Sequence, residues 1–144
     1  MEKAGYRKGV FIAVYKKEKE KVLYLILKRK LHWKGWEFPK GKIENKETKL
    51  QAVKRELKEE TGQTSNSIKK YNYKGKFKYQ KKLPDREETG QTFNLYSAKI
   101  KSKKVKIDKR EHNDYIWLNY NKALKKLTWN NQKKSLKIVN ETIS

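Results

Sequence analysis

Two uninterrupted apolar runs, Val10-Phe-Ile-Ala-Val-Tyr15 and Val22-Leu-Tyr-Leu-Ile-Leu27, limit most what this chain can become. Each has the length of a strand and neither alternates with polar residues, so each reads as a strand buried on both faces. Lys16 to Lys21 forms a charged turn between them. The two strands are hairpin partners or simply neighbours, because runs this uniform do not set a register. A helix follows. Gly41 to Gly62 reads as a turn, about four helical turns and a stop, with Gly62 at the left-handed position after the last turn. Asn45 can cap its start and Glu47 falls in the first turn, where negative charge is favoured. Leu50, Val53 and Leu57, at i, i+3 and i+7, form an apolar stripe that must pack on something.

The last turn of that helix is unusual. At about 100° per residue, Glu56, Glu59 and Glu60 share one face. They sit at the negative end of the helix dipole. Glu56 and Glu60 are also a like-charge i,i+4 pair, unfavourable by a few tenths of a kcal/mol. One reading is a solvated face that tolerates its charges, and periodicity alone favours it. The other is a hard cation, Mg²⁺ or Mn²⁺, held by clustered oxygen ligands.

Spacing changes the balance. Gly41, five residues, Glu47, seven residues and then Arg55-Glu56-Leu57-x-Glu59-Glu60-x-Gly62 resembles the Nudix box. One departure is Gln63, which stands where the pattern ends in an aliphatic residue, a position for packing. The resemblance implies an α/β fold, an α/β/α sandwich with a mixed sheet, and hydrolysis of a nucleoside diphosphate linked to another moiety. It implies Glu56, Glu59 and Glu60 as metal ligands, with the Gly41 carbonyl as a fourth. Arg55 would orient a glutamate through a salt bridge that includes Glu47, and Glu56 or Glu59 would activate the water. The family often adds a later acid; Glu111 is the choice here, because it precedes His112 and the Trp117 segment in the expected order. Asp108, Asp114, Glu87 and Glu88 compete with it.

The rest of the chain supplies cover and basic loops. Lys28 to Gly35 is a basic loop with His32 and Trp33; Trp36 and Phe38 alternate on a short strand that Pro39 ends. Lys40 and Lys42 flank Gly41, either to grip phosphate oxygens or as two more exposed lysines. Tyr71, Tyr73, Phe77 and Tyr79 are odd-numbered while Lys70, Lys74, Lys76 and Lys78 are even, so a strand would segregate rings from lysines. Gly75 suggests a bulge in that run. Most of these rings read as core; Tyr79, near the end, is the candidate to stack on a base, with Lys81 or Lys82 reaching the phosphates. A loop over Leu83 to Gly90, a strand over Gln91 to Ile100, and a short strand with Trp117 follow. Asn119 can cap a helix from Tyr120 to Leu127, and Asn130 or Asn131 a last helix through Val139. No repeat or linker appears, so residues 1–144 read as one domain.

Lys+Arg 39 against Asp+Glu 16 gives 39 − 16 = +23, a balance that suits polyanions such as nucleotides or RNA. The lysines are spread along the chain, which a lysine-biased composition would also produce. Without cysteine there is no disulfide and no thiolate zinc site, and two histidines make a multi-histidine metal site improbable. The longest apolar run is far too short to span a membrane and no apolar signal segment follows Met1, so a cytoplasmic location is expected.

The flanks resemble asymmetric diadenosine tetraphosphate hydrolases: Trp36-Glu-Phe-Pro-Lys-Gly-Lys-Ile43, Glu111-His112, Trp117-Leu118, Ala123-Leu124-x-x-Leu127-Thr128 and Asn130-Asn131-Gln132. Lys46 departs from them, since many relatives have glycine there. This resemblance implies cleavage of diadenosine tetraphosphate to ATP and AMP. The alternatives are a pyrophosphohydrolase acting on RNA 5′ ends or on a nucleoside triphosphate, and a non-catalytic RNA-binding Nudix module.

Overall fold

Both apolar runs form the centre of a seven-stranded sheet. The computed structural model describes residues 5–79 and 81–143. Strands β1 (Tyr6–Glu18) and β2 (Lys21–Arg29) form an antiparallel hairpin, registered from Tyr15↔Tyr24 to Glu18↔Lys21. β6 (Gly90–Lys99) runs parallel to β1, and β5 (Ser67–Lys78) pairs antiparallel with β6 as the outermost strand on that side, so the sheet is mixed.

Beyond Tyr15 and Tyr24 the hairpin strands part, and two three-residue strands enter between them. β3 (Gly35–Glu37) pairs with β2, and β4 (Lys40–Lys42) pairs with β1. The chain crosses the gap at Phe38 and Pro39, where the Ile12 amide donates to the Pro39 carbonyl at 2.8 Å. β7 (His112–Leu118) lies on the opposite edge of β2 from β3, since Leu27 pairs with both Glu37 and Tyr115. This wedge brings Arg29, Glu37, Gly41 and His112 to one place.

Helices cover both faces. Val10, Ile12, Val14, Leu25 and Leu27 pack with Val53 and Leu57 of α1 (Lys49–Thr61). Phe11, Ala13, Tyr15, Tyr24 and Ile26 pack with Ala123 and Leu127 around α2 (Tyr120–Lys126) and with Leu136 and Val139 of α3 (Asn130–Ile143). The result is the α/β/α sandwich. Each fully buried Val, Leu or Ile side chain stabilises it by about 1.5–3 kcal/mol. No helix among the described residues is long and apolar enough to cross a membrane.

Local chemistry moves several expected boundaries. Thr48, not Asn45, caps α1: its hydroxyl accepts from the Gln51 amide at 3.1 Å, and the Gln51 side chain accepts from the Thr48 amide at 2.8 Å. That reciprocal box, worth about 1 kcal/mol, outweighs the lone Asn45 cap. Glu47 therefore precedes the helix, and Leu50, in the first turn, is 45% exposed instead of packing with Val53 and Leu57. Gly62 ends the helix at φ 77°, as expected. The irregularity in β5 falls between Lys70 and Lys74, not at Gly75; Gly75 instead makes room for the Phe93 ring. Asn119 caps α2 by accepting from the Lys122 amide at 3.0 Å. Asn130 is the first residue of α3, whose opening amides at Gln132 and Lys133 reach the Trp129 carbonyl. Gln80, within the run of alternating lysines and rings, lies outside the described residues.

Candidate functional site

Arg55 ties the loop before α1 to the end of that helix. Its Nε and Nη2 donate to the two oxygens of Glu47 at 2.8 and 2.9 Å, Nη2 also donates to the Lys42 carbonyl at 2.6 Å, and Nη1 donates to Glu56 Oε1 at 2.7 Å. The Glu47 bonds hold Arg55 firmly protonated, and the same bonds keep the Glu47 carboxyl below its ordinary range. The eight-residue separation of Glu47 and Arg55 is thus the reach of a two-pronged clamp.

Glu56 lies where a side chain on Gly41 would have to be: a Cβ built on Gly41 overlaps the Glu56 carboxyl. Burial pushes the Glu56 carboxyl up to about 8; the Arg55 hydrogen bond opposes this, while Glu60 and Glu59 add to it. Glu60 is 1% exposed, and burial raises its pKa too, against the pull of His112. Glu60 Oε2 stands 3.1 Å from His112 Nδ1 but makes no hydrogen bond. Glu59 differs from both. Its side chain is 51% exposed and only brushes Arg55 at 3.4 Å.

Behind Glu60 runs a buried network from four strands. His112 Nε2 donates to Glu37 Oε2 at 2.9 Å; Arg29 Nη1 reaches the same oxygen at 3.3 Å and Glu111 Oε1 at 2.9 Å. Lys40 Nζ lies 3.4 Å from Glu37 Oε1. Burial works against charge on Glu37, yet Lys40, His112 and Arg29 bring its carboxyl down to about 2. Burial likewise opposes charge on His112; its hydrogen bond to Glu37 and the negative charge of Glu60 beside it overcome that, raising the imidazole to about 9.

Glu60, Glu111 and His112 each offer a ligand-capable atom within 4.8 Å of the others. The other acids considered do not join this group: Asp108 accepts the Arg110 amide in a turn, and Asp114 accepts the Tyr115 amide. His112 is already engaged on both sides by Glu37 and Glu60, which leaves Glu60 and Glu111 as the carboxylates of this group, and Glu56 lines the same recess as Glu111. An all-oxygen set, with a buried Glu60 oxygen lacking a hydrogen bond and a Glu56 repelled by its neighbours, fits a hard divalent cation.

Two cavities flank this cluster. A small polar recess is lined by Arg7, Arg29, Lys42 and Arg86 as well as Glu56 and Glu111. Beside it lies a cavity of about 430 Å³ walled by Trp33, Phe77, Tyr79 and Trp129, with Lys81 on its lining. Trp33 and Tyr79 stack with centroids 6.0 Å apart, Trp129 meets Trp33 edge-on at 6.2 Å, and Arg86 Nη1 donates to the Tyr79 hydroxyl at 2.8 Å. Lys40 and Trp33 line both cavities. Lys40 is not an exposed lysine: it is buried, 4.5 Å from the Trp33 ring centroid, and burial lowers its pKa.

Sequence reading singled out Tyr79, Lys81, Lys40 and Lys42 but passed over Arg7, Arg29, Glu37, Arg86 and Trp129, and used His112 only as a marker. The two tryptophans outside the strands carried a usable signal, since a large ring in a basic loop needs a partner. The arginines, two on strands and Arg86 in the loop before β6, carried none.

A family model described as NUDIX domain matches residues 5–137. The RNA pyrophosphohydrolase of Hydrogenovibrio crunogenus (strain DSM 25203 / XCL-2) is 38% identical over 65 residues, which is 45% of this chain and 37% of that protein. The matched part is therefore well under half of that relative. Among solved structures, a C. elegans Ap4A hydrolase binary complex superposes with TM-score 0.75 at 21% identity, covering 95% of this chain and 97% of that one. The Nudix domain of Shewanella oneidensis NrtR complexed with ADP ribose does so with TM-score 0.78 at 17% identity, covering 99% and 91%. At such identities these two likenesses concern the fold alone.

Proposed function

The chain belongs to the Nudix family, which its match over residues 5–137 establishes, and on that premise we propose that it cleaves dinucleoside polyphosphates asymmetrically, diadenosine tetraphosphate to ATP and AMP. Membership of the Nudix family supports a pyrophosphohydrolase that acts on a nucleotide-containing substrate with a divalent metal. The observation that carries the finer reading is the pairing of an aromatic cavity with a polar recess through Lys40 and Trp33. A base can stack on the Trp33–Tyr79 wall while its phosphate chain enters the recess among Arg7, Arg29, Lys42 and Arg86.

Glu56, Glu60 and Glu111 would hold a divalent cation, Mg²⁺ or Mn²⁺, which when bound would neutralise phosphoryl charge and lower the pKa of the attacking water. Arg55 fixes the Glu56 oxygen that faces it, and Gly41, which lines the same recess, would offer its carbonyl as a further ligand. Glu59, the exposed acid of the set, is the one free to take a proton from that water, with Glu56 as the competing base. Lys40, fixed between Glu37 and the Trp33 ring, sets a positive charge at the junction of base and phosphates. The same set of buried acids argues against a purely binding module, which would have no use for Glu56 and Glu60 together at a buried site.

The second reading is an RNA 5′-end pyrophosphohydrolase, favoured by the 38% identical RNA pyrophosphohydrolase segment. One panel separates the two: diadenosine tetraphosphate, 5′-triphosphorylated and capped RNA oligomers, and ATP, each with Mg²⁺ and with products identified. ATP plus AMP from the dinucleotide is expected. Rapid cleavage of the RNA ends with the dinucleotide untouched would overturn the first reading in favour of the second.

A further inference from the structure

The side of the sheet that carries α1 leaves one region bare, where the start of β1 lies beside β6 and β5. Cross-strand register aligns Tyr6 with Gly90 and Lys78, Lys8 with Thr92 and Lys76, and Val10 with Asn94 and Lys74. Strand alternation therefore puts Lys8, Lys74, Lys76 and Lys78 on one face. Side-chain contacts agree: the Tyr6 ring lies across Gly90, where a Cβ would come within 2.6 Å of it, and Lys76 Nζ stands 5.2 Å from the Tyr6 centroid.

Nothing on this face neutralises the lysines. Lys8, Lys74, Lys76 and Lys78 are exposed, and none enters an ion pair among the described residues. The segment Ser67 to Pro84 holds seven lysines and no acid, and β6 holds no acid either. Local repulsion of this kind costs stability unless a polyanion relieves it.

We infer that this face is a binding surface for single-stranded RNA. Lysines on alternate residues lie about 7 Å apart along β5, which suits a repeating charge better than one phosphate. Tyr6 offers a ring for a base to stack on, and Thr92 and Asn94 offer polar groups between the lysine rows. A bilayer is the poorer occupant: the exposed large hydrophobic residue among those described is Leu50, on α1 and not on these strands. The inference does not depend on which nucleotide the site cleaves.

The test uses the full chain and a labelled RNA 20-mer with a 5′ hydroxyl, which offers no pyrophosphate to hydrolyse. The triple variant Lys8→Gln, Lys74→Gln, Lys76→Gln is compared with a charge-matched control on the helices, Lys54→Gln, Lys122→Gln, Lys137→Gln. The face variant should lose at least tenfold in affinity, and its log–log salt slope should fall by about 2, near 0.7 per phosphate contact. The control should change less than twofold, and both variants should retain wild-type hydrolysis of a small nucleotide substrate. Equal losses in the two variants, wild-type binding that salt does not weaken, or equal affinity for polyglutamate or phosphatidylserine vesicles would each overturn the inference.

Discussion

The Nδ1 of His112 lies 3.1 Å from Oε2 of Glu60, fully buried, and neither atom makes a hydrogen bond. On its other side the same ring is fixed by Glu37 at 2.9 Å. His112 thus links a glutamate of the box to the buried Glu37 behind it. Replacing His112 by Gln should leave Glu37 and Glu60 undercompensated. The expected cost is about 3–5 kcal/mol, that of removing one partner from a buried ion pair. Urea denaturation of the metal-free protein measures it, and Mg²⁺ affinity should fall in parallel. Unchanged stability would show that the ring only fills space.

Stability should depend on pH in a direction these groups set. His112 rises from 6.5 to about 9 on folding, so its contribution is complete below pH 6.5 and is lost as pH rises through about 9. Glu56 rises from 4.5 to about 8, so it too favours the fold at low pH and opposes it once ionised. Glu37 falls from 4.5 to about 2; its contribution is present above 4.5 and lost only toward pH 2. Metal-free protein should therefore be most stable near pH 5 and weaken steadily to pH 9, with Mg²⁺ restoring the alkaline side. Thermal denaturation in chelator from pH 4 to 9 reads this directly, and a profile that rises toward pH 8 would contradict it.

Gly41→Ala tests the close approach of strand and helix. The backbone at Gly41 is not left-handed, so alanine fits the chain conformation; the Glu56 side chain stands in its way. The expected result is a hydrolysis rate reduced at least a hundredfold with weaker metal binding, and a melting temperature lowered by a few degrees. Near-wild-type turnover would mean that Glu56 can shift without consequence.

What the sequence disclosed about this site follows from how local each contact is. Glu47, Arg55, Glu56 and Gly62 lie on one loop and one helix, so spacing alone related them. The Glu37–His112 bond spans 75 residues and the Arg29–Glu111 bond 82, and both depend on β2 carrying β3 on one edge and β7 on the other. Two uniform apolar runs cannot announce that their strands separate midway. Leu50 was misplaced for a local reason instead: the Thr48–Gln51 box starts the helix later than Asn45 would, and the apolar stripe loses its first member. Lys40 looked like any other lysine because its burial is decided by Trp33 and Trp129, which arrive from a loop and from the turn before α3.

The contrast between Glu59 and Glu60 separates proton transfer from metal binding. Helical spacing places both beside Glu56, yet Glu60 is enclosed near His112 while half of the Glu59 side chain meets solvent. Glu60→Gln removes a charge from an enclosed donor, so metal affinity should fall together with kcat, by orders of magnitude. Glu59→Gln alters an exposed carboxylate whose charge bears only weakly on buried Glu56, so metal affinity and melting temperature should stay close to wild type. If Glu59 takes the proton from water, kcat should still fall by a factor of 10² to 10⁴, the range for loss of a general base, and lose its acid limb. Mg²⁺ titration calorimetry on both variants, with pH–rate profiles, distinguishes these outcomes. A Glu59→Gln enzyme with full kcat would transfer the base role to Glu56.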